Sequence, residues 1–261
     1  MITREQVDAL AKKYKINETV IFREYLQLVF LQKLYQKTPS QNIFFKGGTA
    51  IHLIYQAPRF SEDLDFSVTL SMSEFNGYIT IVLKRMEDEE GVTWKDRKSI
   101  AGKQFLLAAE NILPYKTYIA LDFSFREKVF SNDRSIIQTA YPVLFTSYVY
   151  HLSQEETLAE KIRAVMTRRK GRDLYDLWYL LSKGTEVRQD MLRKKLAYYE
   201  VPEVTNSDIV ERVASFPKKD FVLDLRPFVP LNERDRLPDF FEVLQAQIKQ
   251  TLKTINPKQA D

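Results

Sequence analysis

The hydrophobic periodicity of the chain changes once, near residue 150, and that change limits what it can fold into. Ahead of it, segments with an apolar residue at every second position are interleaved with segments at helical spacing; behind it only the helical spacing continues. "SEDLDFSVTL" (61–70), "VTWKDRKS" (92–99), "GKQFLLAAE" (102–110) and "YKTYIALDFSFRE" (115–127) read as strands, and "QNIFFKGG" (41–48) as a short buried strand stopped by glycine. Helices are expected around 4–13 and over 20–34, the second amphipathic through Val20, Ile21, Tyr25, Leu28, Val29, Leu31 and Leu34. Another begins at Thr49 and stops by Pro58, and a solvent-exposed one covers 74–90. From 153 to about 195 the pattern is helical, broken only at Gly171 and Gly184, with Ser153 and Glu156 forming a capping box. A last helix covers 239–252. The expectation is an α/β or α+β domain over 1–150, followed by a mainly helical domain over 151–261.

Composition excludes several chemistries. There is no cysteine, so disulfides, thiolate nucleophiles and cysteine-ligated zinc are ruled out. The two histidines, His52 and His151, are far apart, and neither is given a catalytic role. A metal would therefore sit on oxygen ligands or on these two rings. No segment reaches the ~18 consecutive apolar residues of a membrane span, and the first residues lack a signal-peptide core, so a cytoplasmic location without a membrane partner is expected. A net charge of +4 permits a nucleic-acid partner without requiring one.

The stretch "FFKGGTAIHLIYQAPRFSEDLDF" (44–66) concentrates the candidate chemistry. Residues two apart in a strand share a face, so Asp63 and Asp65 project together while Leu64 and Phe66 face the other way. Two carboxylates so placed suit a hard divalent cation, Mg2+ or Mn2+, which takes one or two carboxylates plus substrate phosphates. The Gly47-Gly48 turn lets the backbone approach an anion closely, and the helix after it directs unpaired N–H groups at a phosphate. Thr49 either caps that helix or hydrogen-bonds a phosphate oxygen, and Lys46 and Arg59 add positive charge. In "YIALDFSFRE", Ile119, Leu121, Phe123 and Phe125 make one apolar face, which leaves Asp122 on the other as the candidate third metal carboxylate or as a solvated residue. Neither the glycine turn nor the Asp-x-Asp pair is specific alone; their order and spacing describe a nucleoside-triphosphate site.

These residues resemble the nucleotidyltransferase superfamily, in which a Gly-Gly or Gly-Ser turn precedes an Asp-x-Asp pair. "KGGTAIHLIY" followed by "RFSEDLDF" is similar more narrowly to the AbiEii toxins of abortive-infection and toxin–antitoxin systems. Arg59, Ser61, Asp63, Asp65 and Phe66 fall on that family's R-x-S-x-D-x-D-F pattern. "TLAEKIRAVMTRRKGRDLYDLWYLL" (157–181) is similar to its helical motif through Lys161, Arg168, Arg172, Asp173 and Asp176. The likeness runs over roughly residues 20–185. It implies an α+β fold, a nucleotidyltransferase-like mixed sheet with flanking helices and a helical C-terminal domain that completes the active site. It also implies Mg2+-dependent transfer of a nucleotide from an NTP to an acceptor hydroxyl, the 3' end of a tRNA.

Lys46, Gly47, Gly48, Thr49, Arg59 and Ser61 are then the nucleotide-binding residues, and Asp63, Asp65 and Asp122 the metal ligands. Lys161 would neutralise triphosphate charge, and Asp173 or Asp176 would orient the acceptor hydroxyl or take its proton. The other reading of the second motif is that Asp173 only N-caps a helix and Lys161 lies on a solvated face. The cations at 161–172 and 193–195 are a candidate RNA-binding cluster. The family's antitoxin is a repressor that need not form a stable complex with the toxin. A phosphate on Ser61 would put negative charge where the triphosphate binds. The competing functions are the same transfer to a small molecule or a protein hydroxyl, and non-catalytic RNA or nucleotide binding.

Overall fold

The computed structural model describes residues 1–99 and 102–254, which divide into two compact units between Leu152 and Ser153. The first contains α1 (Arg4–Tyr14), α2 (Glu18–Leu34), β1 (Ile43–Lys46), α3 (Gly47–Leu53), β2 (Leu64–Val68), α4 (Met72–Glu90), β3 (Thr93–Arg97), β4 (Gly102–Ala109), β5 (Thr117–Ser124), β6 (Asn132–Ser135) and β7 (Val149–Leu152). All seven strands form one sheet in the order β3-β4-β5-β2-β1-β7-β6. It is mixed: β2 runs parallel to β5 and β1 parallel to β7, and the other neighbours are antiparallel.

Strand alternation gives the sheet two unlike faces. On one, Phe66 stacks on Phe123 with ring centroids 4.7 Å apart, Phe30 of α2 approaches Phe66 at 6.2 Å, and Phe75 of α4 approaches Phe123 at 4.8 Å. This is the core of the unit. The apolar face expected for "YIALDFSF" is the one that packs here, with Ile119, Leu121 and Phe123 all buried.

Two helices differ from their expected character. In α2 the burial continues nearly all the way round, taking in Glu24, Gln27 and Lys33, so it is an internal helix and not an amphipathic surface one. Enclosure by its neighbours overrides the polar positions, each of which finds a partner: His52 for Glu24, main-chain carbonyls for Gln27 and Glu89 for Lys33. In α4 only one side is solvated; Phe75, Ile79, Val82, Leu83 and Met86 form a buried stripe. The third helix begins at Gly47, two residues before the expected Thr49. Strands β6 and β7 were not foreseen. "NDRS" has no strand propensity, and only its pairing with β7 makes it one.

The second unit contains α5 (Gln154–Thr167), α6 (Gly171–Ser182), α7 (Gln189–Ala197), α8 (Asn206–Ala214), α9 (Lys218–Leu225) and α10 (Leu237–Thr254). Half of the capping box expected for α5 is present: Ser153 Oγ accepts the Glu156 N–H at 3.2 Å, while Glu156 places its carboxylate 2.8 Å from the Lys195 ammonium. Helices α8 and α9 were also unforeseen. The first carried a readable signal in Thr205 and Asp208, which make a full capping box. Among the described residues no helix is long and apolar enough to cross a membrane.

Candidate active site

The second face of the sheet carries a polar row that strand register alone assembles. Lys46 of β1 pairs with Asp65 of β2, Asp65 with Asp122 of β5, Asp122 with Gln104 of β4, and Gln104 with Arg97 of β3. Cross-strand partners point the same way, so the row lies opposite the Phe66–Phe123 stack. Burial raises the Asp122 carboxyl, and the Lys46 charge and a 3.4 Å hydrogen bond from Gln104 Nε2 act against that rise. Lys46 is itself buried and its ammonium lies 3.0 Å from Glu127. Asp63, exposed, enters from the segment just before β2.

Where β1 passes into α3 the chain turns sharply, with Gly47 at φ +78°. A Cβ there would lie 2.2 Å from Asp65 Oδ2, and one on Gly48 would lie 2.5 Å from Arg59 Nη2 and 3.1 Å from Ser61 Oγ. A side chain at 47 or 48 would have to displace Asp65, Arg59 or Ser61, which fill the space beside the two glycines. Lys46, Gly47, Gly48, Arg59, Ser61, Asp65 and Asp122 are thus brought together in the first unit.

Thr49 has a different place from the one expected. It is the third residue of α3, it is fully buried, and its hydroxyl donates to the Asp63 carbonyl, so it neither caps the helix nor presents itself to a phosphate. The segment 57–63 is held by further groups that sequence reasoning missed. Gln27 Nε2 donates to the Ser61 and Glu62 carbonyls at 3.3 and 2.8 Å. His52 contacts the Ala57 carbonyl at 2.6 Å through Nδ1 and the Glu24 carboxylate at 3.0 Å through Nε2. Burial works against a charged His52 ring, but the Glu24 hydrogen bond and charge and the Ala57 carbonyl outweigh it, so its pKa is raised. The polar residues Glu24 and Gln27, one turn apart in a helix that reads as amphipathic and is buried nearly all round, were the available signal.

In the second unit Lys161 of α5 lies 3.0 Å from Asp173 and 2.8 Å from Asp176, both on α6. Arg168 forks onto Asp173 at 2.7 and 3.1 Å. Asp173 is 2% exposed and Asp176 0%. Burial alone would raise the Asp173 carboxyl; the Lys161 charge and the Arg168 hydrogen bond prevail and hold it well below the usual carboxylate range. The N-cap of α6 is Lys170, so Asp173 is not the cap that one reading made it, and Lys161 is not on a solvated face. Asp173 has both oxygens engaged by cations, which makes it a poor proton acceptor.

The expected basic cluster is largely spoken for within the unit. Lys195 is 1% exposed and sits between Glu156 and Glu160 at 2.8 and 2.9 Å; Arg163 lies over the Tyr199 ring at 4.0 Å, and Arg193 pairs with Glu203. Arg168, Arg169 and Lys170, in the connection between α5 and α6, are exposed.

Among the described residues no three His, Asp or Glu side chains are gathered as a ready-made metal cage. The oxygen donors of Asp65 and Asp122, adjacent in register, nonetheless suit Mg2+ or Mn2+, which keep several coordination positions for water and phosphate.

A family model described as nucleotidyl transferase AbiEii toxin, type IV TA system, matches residues 29–261. No curated protein matches the chain by sequence. Among solved structures, the chain is similar to MenT4, a nucleotidyltransferase toxin of Mycobacterium tuberculosis H37Rv, with TM-score 0.65 and 18% identity over 98% of this chain and 100% of that one. It is also similar to JHP933 of Helicobacter pylori, with TM-score 0.55 and 18% identity over 92% of this chain and 95% of that one. At that identity the likeness is one of fold.

Proposed function

Because the chain belongs to the AbiEii family of nucleotidyltransferase toxins, we propose that it transfers a nucleotide from an NTP to a hydroxyl on RNA, with the 3' end of a tRNA as the acceptor. The observation that carries this reading is the row Lys46, Asp65, Asp122 and Gln104 beside a glycine turn whose free space is taken by the Asp65 carboxylate. Asp65 and Asp122, with Asp63 at the entrance to β2, would hold Mg2+ or Mn2+. Bound there, the metal would neutralise triphosphate charge and the charge developing on the leaving pyrophosphate.

The remaining work falls to the chain itself. The Gly47-Gly48 turn admits the phosphates close to the backbone, and Arg59, next to Gly48, orients them with its forked donors. Ser61, beside the same glycine, is placed to hydrogen-bond a phosphate oxygen. Lys161, Asp173 and Asp176 are assigned a positioning role: the ammonium that sequence gave to the triphosphate is committed to two carboxylates, and together they tie α5 to α6. RNA is favoured over a small-molecule or protein hydroxyl by the successive exposed cations Arg169 and Lys170, beside Arg168, which is exposed and also paired with Asp173. A cognate antitoxin would act without a stable complex.

The test is incubation with each α-labelled NTP, Mg2+ or Mn2+ and total cellular RNA. Label should appear on a tRNA-sized band, and its yield should fall steeply as salt rises. Label on protein or on an added aminoglycoside, with none on RNA, would replace the RNA acceptor by one of those. No label on anything would defeat the reading.

A further inference from the structure

We infer that Gln27 and Thr49 are positioning residues for the catalytic carboxylates, an inference that rests on the role proposed above for Asp63 and Asp65. Two buried side chains from two helices take three successive main-chain carbonyls. Gln27 of α2 donates one amide group to Ser61 O and Glu62 O, and Thr49 of α3 donates its hydroxyl to Asp63 O. Both are 1% exposed. A buried amide or hydroxyl is costly unless hydrogen-bonded, so each donor holds its carbonyls as firmly as the carbonyls hold it.

The consequence concerns direction. Pinning the carbonyls of 61, 62 and 63 fixes the peptide planes on both sides of residues 62 and 63, and with them the Cα–Cβ vector of Asp63. From Leu64 onward the ladder to β5 takes over and fixes Asp65. Asp63 lies just outside the sheet, so register does not set its direction; Thr49 does. The same helix that opens with the Gly47-Gly48 turn thereby couples the place of the phosphates to the place of the first carboxylate. This is why a hydroxyl at 49 is needed inside the protein and not at the ligand.

The experiment compares Thr49→Val, which keeps shape and removes the donor, with Thr49→Ser, which restores it, and with Gln27→Met. The readouts are kcat and KM for the NTP, Mn2+ affinity of the free protein by electron paramagnetic resonance, and Tm. Thr49→Val and Gln27→Met should lower kcat roughly 10- to 100-fold, as sub-ångström misplacement of a reacting group does, with KM little changed. Mn2+ affinity should weaken with kcat, and Thr49→Ser should recover most of both. Wild-type kcat and Mn2+ affinity in Thr49→Val, or a Thr49→Ser variant no better than Thr49→Val, would overturn the inference. Asp65→Asn separates the two claims. If it abolishes transfer while Thr49→Val does nothing, only the positioning role is lost; if it leaves transfer intact, both fall.

Discussion

The chain carries two aspartate pairs, Asp63 with Asp65 and Asp173 with Asp176, and the structure gives them very different burial. The first pair is at the start of a strand, one member exposed and the other half-buried, beside a glycine turn with no side chains of its own. The second is buried within a helical unit and contacted by Lys161 and Arg168 at 2.7–3.1 Å. Buried charge persists only when paired, and Lys161 and Arg168 supply that pairing for Asp173 and Asp176. An acid that is to bind a cation beside a phosphate must instead keep an oxygen within reach of solvent. On the function proposed above, likeness in sequence between the two motifs conceals a division of labour, one pair for the ligand and one for positioning.

The largest expected effect tests the first pair. Asp65→Asn should lower nucleotidyl transfer by at least about 1,000-fold, the several kcal/mol that charge stabilisation of a phosphoryl group supplies, with Tm nearly unchanged. Residual activity within tenfold of wild type would erase the contrast. The second unit should show the reverse. Lys195→Met leaves Glu156 and Glu160 buried without their ammonium and should destabilise the protein by about 3–5 kcal/mol in urea denaturation.

Two glycines at nearly equal φ sharpen the comparison. Gly47 is at +78° and Gly184 at +79°, so alanine at either incurs the same left-handed strain of about 1–2 kcal/mol. Only at Gly47 would the new methyl meet the Asp65 carboxylate; at Gly184 nothing lies within 4 Å. Gly47→Ala should therefore lose most transfer activity and show the larger fall in Tm, and Gly184→Ala should lose no activity.

The smallest effect is one of pH. Both ring nitrogens of His52 lie against oxygens, the Ala57 carbonyl and the Glu24 carboxylate, which favour the charged ring and raise its folded pKa above 6.5. Its stabilisation is complete below 6.5 and is lost as pH rises through the higher folded value. Unfolding free energy should decline over that interval in the wild type and not in His52→Gln. Asp173 works in the other direction: its folded carboxyl lies below the ordinary 3.8, so its contribution is present above that value and disappears on strong acidification.

Much of this was legible in the residues because it depends on local rules. Alternation in "LDFSV" and "TYIALDFS" fixes which residues share a face, and the burial of Leu64, Phe66, Leu121 and Phe123 follows it. The Gly-Gly turn and the Asp-x-Asp spacing marked the first site for the same reason. Less legible were the segments whose conformation is imposed from outside. "NDRS" is a strand only because β7 lies beside it, and α2 reads as amphipathic only until its polar positions meet their partners. The misassigned hydroxyl of Thr49 belongs here as well, since its acceptor lies 14 residues away.

Sequence determined the periodicities, the glycines at the turn and the order of the acidic residues, because each is a property of neighbouring positions along one chain. Tertiary structure decided that Asp65, Asp122 and Lys46 stand in one row, that Thr49 and Gln27 hold the segment carrying Asp63, and that Asp173 and Asp176 are sealed by Lys161. Those facts depend on strand register and on which side chains meet across helices. Such meetings are settled by the free energy of burying the whole core and pairing the charges left inside it, a quantity that no short stretch of residues contains.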